Sequence, residues 1–245
     1  MTNKFVHILG VPFIDTTRKD FIKKLQGRIE KQEKTFVVTA NPEIVMHTLQ
    51  DPEYKQILTK ADYITADGIG IVKAAAIVGE SLPERVSGYD MMMDLLELAN
   101  EKRQRIFFLG ASEKVLGETV RLVEEKYSGI QIAGHQNGFF DWSDPALPQT
   151  IKDSQPDLVF VALGFPRQEQ WIGRHIDEFD KGVFIGIGGS FDVFSGNVKR
   201  APEVWQKLNL EWFYRLVKQP SRWKRMLVLP KFALVVVQRK VFSKG

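Results

Sequence analysis

The 245-residue chain has no cysteine, so a disulfide framework and a thiolate-held metal are both excluded. It has no Asp-x-Asp pair, the clamp by which many nucleotide-sugar transferases hold a divalent cation. Its four histidines, His7, His47, His135 and His175, are scattered. Neither a metal site nor a bound cofactor is expected from these residues. The dinucleotide fingerprint G-x-G-x-x-G is also missing. Gly186-Ile187-Gly188-Gly189 comes near it, but position 191 is Phe, which argues against a nicotinamide dehydrogenase. No apolar run is long enough to span a bilayer. The most apolar C-terminal stretch, residues 226–237, is interrupted by Pro230 and Lys231 and suits a position on a surface. The opening Met1-Thr2-Asn3-Lys4-Phe5 has no basic region followed by an apolar one, so no signal peptide is expected.

One absence is local. From Lys199 to Gly245 only two acids, Glu203 and Glu211, stand among twelve Lys and Arg, a net charge of +10. The whole chain carries +4, so residues 1–198 carry −6. A basic segment mixed with Trp, Phe, Leu and Val on an acidic body suits an anionic lipid surface, a phosphorylated substrate or nucleic acid.

The length suffices for one large core with an appendage. Short β-rich runs at 35–39, 63–66, 105–109, 157–163 and 182–187 alternate with helical patterns. Asn41-Pro42-Glu43 opens one helix, with a cap, a proline at the first position and an acid in the first turn. Further helices are expected at 69–78, at 91–102 behind Asp90 as cap, at 113–127 and at 203–218. This alternation predicts an α/β fold: a Rossmann-like, largely parallel sheet with flanking helices over residues 1–198, and a basic helical appendage over 199–245.

Ligands of such sheets bind beyond the carboxyl ends of the strands. The residues there are Thr39-Ala40-Asn41, Asp67-Gly68, Gly110-Ala111-Ser112, Gly164 to Gln168, and Gly188-Gly189-Ser190-Phe191-Asp192. Asp67 reads either as a general base above a pocket or as the cap of the helix that follows. Asn41 is a cap whose amide also suits a sugar hydroxyl. Gly110-Ala111-Ser112 offers backbone N–H groups to a diphosphate, though tight strand-to-helix turns often use glycine. Arg215, Arg222 and Arg225, interleaved with aromatic residues, fit either a diphosphate grip or a solvated basic face. Without a metal clamp, charge leaving on a nucleoside diphosphate must be met by backbone dipoles or Arg and Lys.

Together the ordered blocks are more specific than any one of them: Thr39-x-Asn41-x-Glu43, Ala66-Asp67-Gly68, Glu84-Arg85-x-x-Gly88-x-Asp90, Phe108-Leu109-Gly110, Asn137-Gly138-Phe139-Phe140, Leu163-Gly164-x-Pro166-x-Gln168-Glu169, Gly188-Gly189-x-Phe191-Asp192, Gly196-x-x-x-Arg200-Ala201-Pro202, and Leu210-Glu211-Trp212-x-x-Arg215 with Pro220 and Arg222 beyond it. From about Phe5 to Arg225 the chain resembles the bacterial family of inverting UDP-amino-sugar transferases that extend polyprenyl-diphosphate-linked sugars. That family includes enzymes of wall teichoic acid and enterobacterial common antigen synthesis.

The resemblance implies transfer of N-acetylmannosamine from UDP-N-acetylmannosamine (UDP-ManNAc) to the 4-hydroxyl of GlcNAc-diphospho-undecaprenol, with inversion and without metal. It puts the base on Asp67 and further active-site roles on Thr39, Asn41, Arg85 and Gln168. UDP-sugar contacts fall on Gly110, Ala111, Ser112, Gly164, Gly188, Gly189 and Asp192, and lipid-diphosphate contacts on Arg215, Arg222 and Arg225. It implies a cytoplasmic protein held peripherally on the inner face of the cell membrane. Trp223, Leu227, Phe232 and Val235 to Val237 are expected to rest on the anionic leaflet beside the basic residues. The apolar tail also leaves self-association open. Rival readings are another donor, UDP-N-acetylmannosaminuronate or UDP-glucose, and a non-enzymatic nucleic-acid-binding module. Against the last, positive charge is confined to the tail while polar residues recur at five strand ends.

Overall fold

The computed structural model describes residues 3–208, 210–218 and 223–242. A hairpin opens the chain, β1 (Phe5–Ile8) and β2 (Val11–Ile14). Its two-residue turn, Leu9-Gly10, has both residues at positive φ, 52° and 88°, the backbone twist that matches paired strands. After α1 (Arg18–Glu30) the chain enters a six-stranded sheet. Its strands are β3 (Thr35–Ala40), β4 (Tyr63–Ala66), β5 (Arg105–Gly110), β6 (Gln131–Gln136), β7 (Leu158–Ala162) and β8 (Val183–Gly186). They lie in the order β4-β3-β8-β7-β5-β6, and every pairing is parallel.

Alternate residues of the central strands feed two separate cores. Phe36, Val38, Phe107, Leu109, Val159, Val161 and Phe184 point to one face. Val37, Ile106, Phe108, Leu158, Phe160, Val183 and Ile185 point to the other. A sheet covered on both faces needs apolar residues at every position, which is why these strands read as unbroken apolar runs. The edge strand β6 is different. It is polar, largely half-exposed, and bulged where Phe107 pairs with Gly134. It carries no comparable signal in the sequence.

Between the strands run α2 (Pro42–Thr48), α3 (Pro52–Thr59), α4 (Ile69–Val78), α5 (Gly88–Lys102), α6 (Glu113–Lys126), α7 (Ala146–Asp153), α8 (Arg167–His175) and α9 (Ser190–Phe194). The helix that follows β3, α2, packs in the first core through Ile44 and Val45. The helix that follows the neighbouring strand β8, α9, packs in the second through Phe191 and Phe194. After β7, α8 returns to the first core with Trp171 and Ile172. Chains leaving adjacent strands toward opposite faces open a crevice between them at their carboxyl ends, the place where open α/β sheets bind ligands.

Four expectations are corrected. Helix α5 begins at Gly88, not behind Asp90: Ser87 is its cap and accepts from the Asp90 N–H at 3.3 Å. The Ser87 hydroxyl in turn donates to Asp90 Oδ2 at 2.6 Å. Residues 203–218 form two helices rather than one, α10 (Glu203–Lys207) and α11 (Glu211–Lys218). After α12 (Trp223–Met226), α13 (Val228–Phe242) runs unbroken through Pro230 and Lys231. Pro230 is its third residue, in the turn whose N–H groups have no helical acceptor, so it costs no backbone bond. This helix packs against α4 and α2. Phe232 and Val236, expected on the membrane, are 3% and 0% exposed and belong to the first core.

Candidate active site

At the carboxyl ends of β3, β4 and β8 lies a cavity of about 690 Å³. One wall is polar, made by Thr39, Asn41, Asp67, Arg85 and Gln168 with the backbone of Gly164, Gly188 and Gly189. The second wall is apolar. It is made by Met226, Leu229, Phe232 and Val236 of the C-terminal helices together with Ile69 and Ile77 of α4, on which α13 packs. Glu211 and Trp212 of α11 complete the rim. Eight residues expected from sequence to serve the site therefore meet in one place, though they come from five separate segments of the chain.

Each polar residue is held by the fold. Thr39 is buried near the end of β3 and donates its hydroxyl to the Gly186 carbonyl at 2.8 Å, tying β3 to β8 at the cavity floor. Helix α5 closes on the same spot: a Cβ at Gly88 would lie 3.3 Å from both Thr39 Oγ1 and Ile187 Cα. Asn41 caps α2, its Oδ1 accepting from Glu43 N at 2.9 Å and Ile44 N at 3.1 Å. The cap consumes the carbonyl oxygen and not the amide nitrogen.

Asp67 follows β4, with its N–H bonded to Ala40 O at 2.9 Å. Gly68, at φ 103°, and not Asp67, holds the cap position of α4. Asp67 lines the cavity beside the positive end of a ten-residue helix.

Arg85 Nη1 lies 3.0 Å from Glu211 Oε2, and its Nη2 lies 3.6 Å from Asp90 Oδ2. Arg200 reaches the other oxygen of Asp90 at 2.5 Å and stacks on Tyr89 at 4.6 Å. Burial alone would raise Asp90, but the Ser87 hydroxyl and then the Arg200 and Arg85 guanidinium groups outweigh it and hold the carboxyl below its usual range. Asp90 is therefore an anionic hub that orients two arginines on the cavity wall.

Gln168 is buried, and both ends of its amide are used. Its Oε1 accepts from Gly188 N at 2.9 Å, and its Nε2 donates to Glu169 Oε1 at 2.7 Å. Burial pushes the Glu169 carboxyl up to about 7. Burial and then the Glu169 charge keep the Tyr54 phenol protonated well above its usual range.

Other expected site residues lie elsewhere. Gly110, Ala111, Ser112 and Asp192 do not line this cavity. Gly110 has φ 117°, and a Cβ there would meet Ala162 backbone atoms at 2.5 Å. Ala111 is left-handed at φ 59°, and Ser112 caps α6. Asp192 stands in the first turn of α9, beyond β8. Arg222 lies outside the described residues, as do the side chains of Arg215 and Arg225, whose backbones belong to α11 and α12. Among the described residues no cluster of three or more His, Asp or Glu is placed to hold a metal, and no helix is long and apolar enough to cross a membrane.

Several cavity residues were missed in the sequence: Lys73, Ser87, Arg200, Glu211 and Trp212. Lys73 is one helical turn beyond Ile69, so its place on the same face of α4 was available from i, i+4 spacing. Glu211 and Arg200 sat in the quoted blocks, but only the folded chain shows that they meet Arg85 and Asp90.

The model of the glycosyl transferase WecG/TagA/CpsF family matches residues 6–245. A Bacillus spizizenii protein named N-acetylglucosaminyldiphosphoundecaprenol N-acetyl-beta-D-mannosaminyltransferase is 43% identical over 229 residues, 93% of this chain and 89% of its own length. Proteins of the same name from Bacillus subtilis and Staphylococcus aureus are 41% and 37% identical, over 100% and 96% of this chain and 94% and 93% of theirs. With its parallel sheet and its crevice at the strand ends, the chain belongs to the WecG/TagA/CpsF family of glycosyltransferases.

Proposed function

We propose that this glycosyltransferase moves N-acetylmannosamine from UDP-ManNAc to the 4-hydroxyl of GlcNAc-diphospho-undecaprenol, an early step in building the linkage unit of wall teichoic acid. The relatives' names supply donor sugar and acceptor. One observation carries the mechanism: Asp67 lines the same cavity as Thr39, Asn41, Arg85 and Gln168, just beyond the end of β4.

The reaction is a single in-line displacement. Asp67 takes the proton of the acceptor hydroxyl as its oxygen bonds to the sugar C1. The C1–O bond to the diphosphate breaks with its electron pair, UDP departs, and the configuration at C1 inverts. One carboxylate suffices, since no covalent sugar–enzyme bond forms. The negative charge that develops on UDP is met without metal by Arg85, by the N–H groups near Gly188 and Gly189, and by the start of α4. Gly110, Ala111, Ser112 and Asp192 are assigned to the nucleotide. Gly110, Ala111 and Ser112 lie further along the same carboxyl edge, where the left-handed Ala111 turns the chain between β5 and α6, and Asp192 lies in the first turn of α9, after β8. Arg215, Arg222 and Arg225 are assigned to the lipid diphosphate. The exposed Trp223, Leu227, Leu234, Val237 and Val241, with Arg239 and Lys240, supply peripheral contact with an anionic leaflet.

A donor panel on a soluble GlcNAc-diphospholipid analogue tests this reading. UDP-ManNAc should be used at least tenfold better, in kcat/KM, than UDP-N-acetylmannosaminuronate or UDP-glucose, and EDTA should leave the rate unchanged. Preference for another donor would move the chain to a different branch of the family. Loss of activity on chelation, restored by Mn²⁺ or Mg²⁺, would end the metal-free mechanism.

A further inference from the structure

Glu169 lies immediately beyond the cavity wall, fully buried on α8. The side chain beside it, Gln168, does line the cavity, and its carboxamide is fixed from three sides. Gly188 donates its N–H to Oε1, which requires oxygen at that end. Glu169 Oε1 accepts from Nε2 at 2.7 Å, which requires nitrogen at the other. The third side is the bare Cα of Gly186, where a Cβ would stand 2.7 Å from Gln168 Nε2. The carbonyl of that same Gly186 holds Thr39. A flipped amide would set two oxygens against each other at Glu169 and two N–H groups against each other at Gly188, so the pair selects one orientation.

A buried carboxyl is costly unless it is well partnered, and a carboxyl kept only for packing would be better replaced by an apolar side chain. Glu169 is poorly repaid. Its second oxygen, Oε2, and the buried hydroxyl of Tyr54 on α3 make no hydrogen bond of full geometry, and the two side chains meet only as a loose pair. Its well-formed side-chain hydrogen bond, at 2.7 Å, goes to the cavity residue Gln168.

We propose that Glu169 is a positioning residue that fixes the Gln168 carboxamide, presenting the remaining Nε2 hydrogen of Gln168 toward the sugar or diphosphate in the cavity. This rests on the reading of the cavity as the transfer site. Glu169 touches no substrate itself and acts only through Gln168. Either protonation state serves, because both offer an oxygen to the Gln168 N–H.

A double-mutant cycle on the full chain tests this. Glu169→Met keeps length and fill but removes the acceptor; Glu169→Gln keeps an acceptor. Glu169→Met should lower kcat by roughly tenfold or more, the scale on which small misplacements cost rate, with UDP affinity within about twofold of wild type. Glu169→Gln should stay within about threefold of wild type. In a Gln168→Ala background, Glu169→Met should cause no further loss. The Gln168 side-chain N–H resonances should move in Glu169→Met and not in a remote control variant.

An undiminished rate in Glu169→Met, or an equal further loss in the Gln168→Ala background, would overturn the proposal. If Glu169→Met does not fold, Glu169→Gln still decides: a loss as large as that of Gln168→Ala means the carboxyl does something an amide cannot. If Gln168→Ala itself leaves transfer unchanged, the reading of the cavity fails rather than the role of Glu169.

Discussion

The two walls of the cavity are built in opposite ways. The wall from β3, β4 and β8 is interlocked: Thr39 bonds Gly186, Gln168 bonds Gly188 and Glu169, and Asp90 orients Arg85 and Arg200. The wall from α11 to α13 is amphipathic helix, laid on the body through a few residues and apolar on its outer side as well. Within α13, Phe232 and Val236 are 3% and 0% exposed, whereas Leu234 and Val241 are 58% and 63% exposed. The first wall carries the polar groups of the cavity. The second is apolar toward the cavity and leaves apolar side chains exposed on its other side. The Arg85–Glu211 pair, at 3.0 Å, joins the polar wall to α11.

The largest difference should come from removing the second wall altogether. A chain ending at Lys199 should lose transfer by at least about two orders of magnitude even on a soluble acceptor, because positioning is lost along with the roof. It should also unfold at lower temperature, since Phe232 and Val236 leave the first core. Full activity of the truncated chain on a soluble acceptor would reduce α11 to α13 to an anchor.

Single changes in α13 sharpen the same contrast. Phe232→Ala should cost about 3 kcal/mol or more of stability by opening a hole in the core, read by chemical denaturation. Leu234→Ser and Val241→Ser should leave stability within about 0.5 kcal/mol but weaken retention on anionic liposomes. Each Lys or Arg near such a surface contributes about 1 kcal/mol, so retention should fall with added salt. A Leu234→Ser chain that floats with liposomes as well as wild type would remove the outer face of α13 from membrane contact.

The pH dependence of stability reports on the interlocked wall. Glu169 is raised to about 7 from a usual carboxylate value near 4.5, so the fold prefers it protonated. Its contribution is complete below the unfolded value and is lost as pH rises through 7. Glu169→Gln cannot ionise, so its stability relative to wild type should rise between about pH 4.5 and 7 and then level, by at most about 3 kcal/mol. A difference that stays flat across that range would mean the carboxyl ionises freely in the fold.

The smallest effect is expected at the joint between the walls. Glu211→Gln should lower kcat several-fold with the soluble acceptor, since it loosens Arg85 without removing it. Arg85→Ala should cost much more. Equal effects would mean that Glu211, and not only Arg85, meets the substrate.

The sheet and the polar wall were legible because their signals are local. Strands covered on both faces leave continuous apolar runs, and the ligand rule for parallel sheets then points to the residues just after them. Asp67 could not be separated from a helix cap by sequence, because Asp-Gly before a helix fits both; the structure gives the cap position to Gly68. The edge strand β6 was not seen, since half-exposed polar residues such as Gln131 and Gln136 leave no alternation. The C-terminal helices were misread for a related reason. Pro230 looks like a break unless its place in the first turn is known, and burial of Phe232 depends on α4 and α2, far away in the chain. Glu169 stood in a quoted block without a role, because its partner is the side chain next to it and its burial is tertiary.

The central claim is that the cavity at the ends of β3, β4 and β8 is the transfer site and that Asp67 is its base. It is tested most directly by the turnover of Asp67→Asn on a soluble GlcNAc-diphospholipid acceptor, measured beside its affinity for UDP. We predict turnover lower by roughly 10²–10⁴-fold, the usual worth of a positioned base, with UDP affinity and melting temperature unchanged. Turnover near that of the wild type would contradict the account.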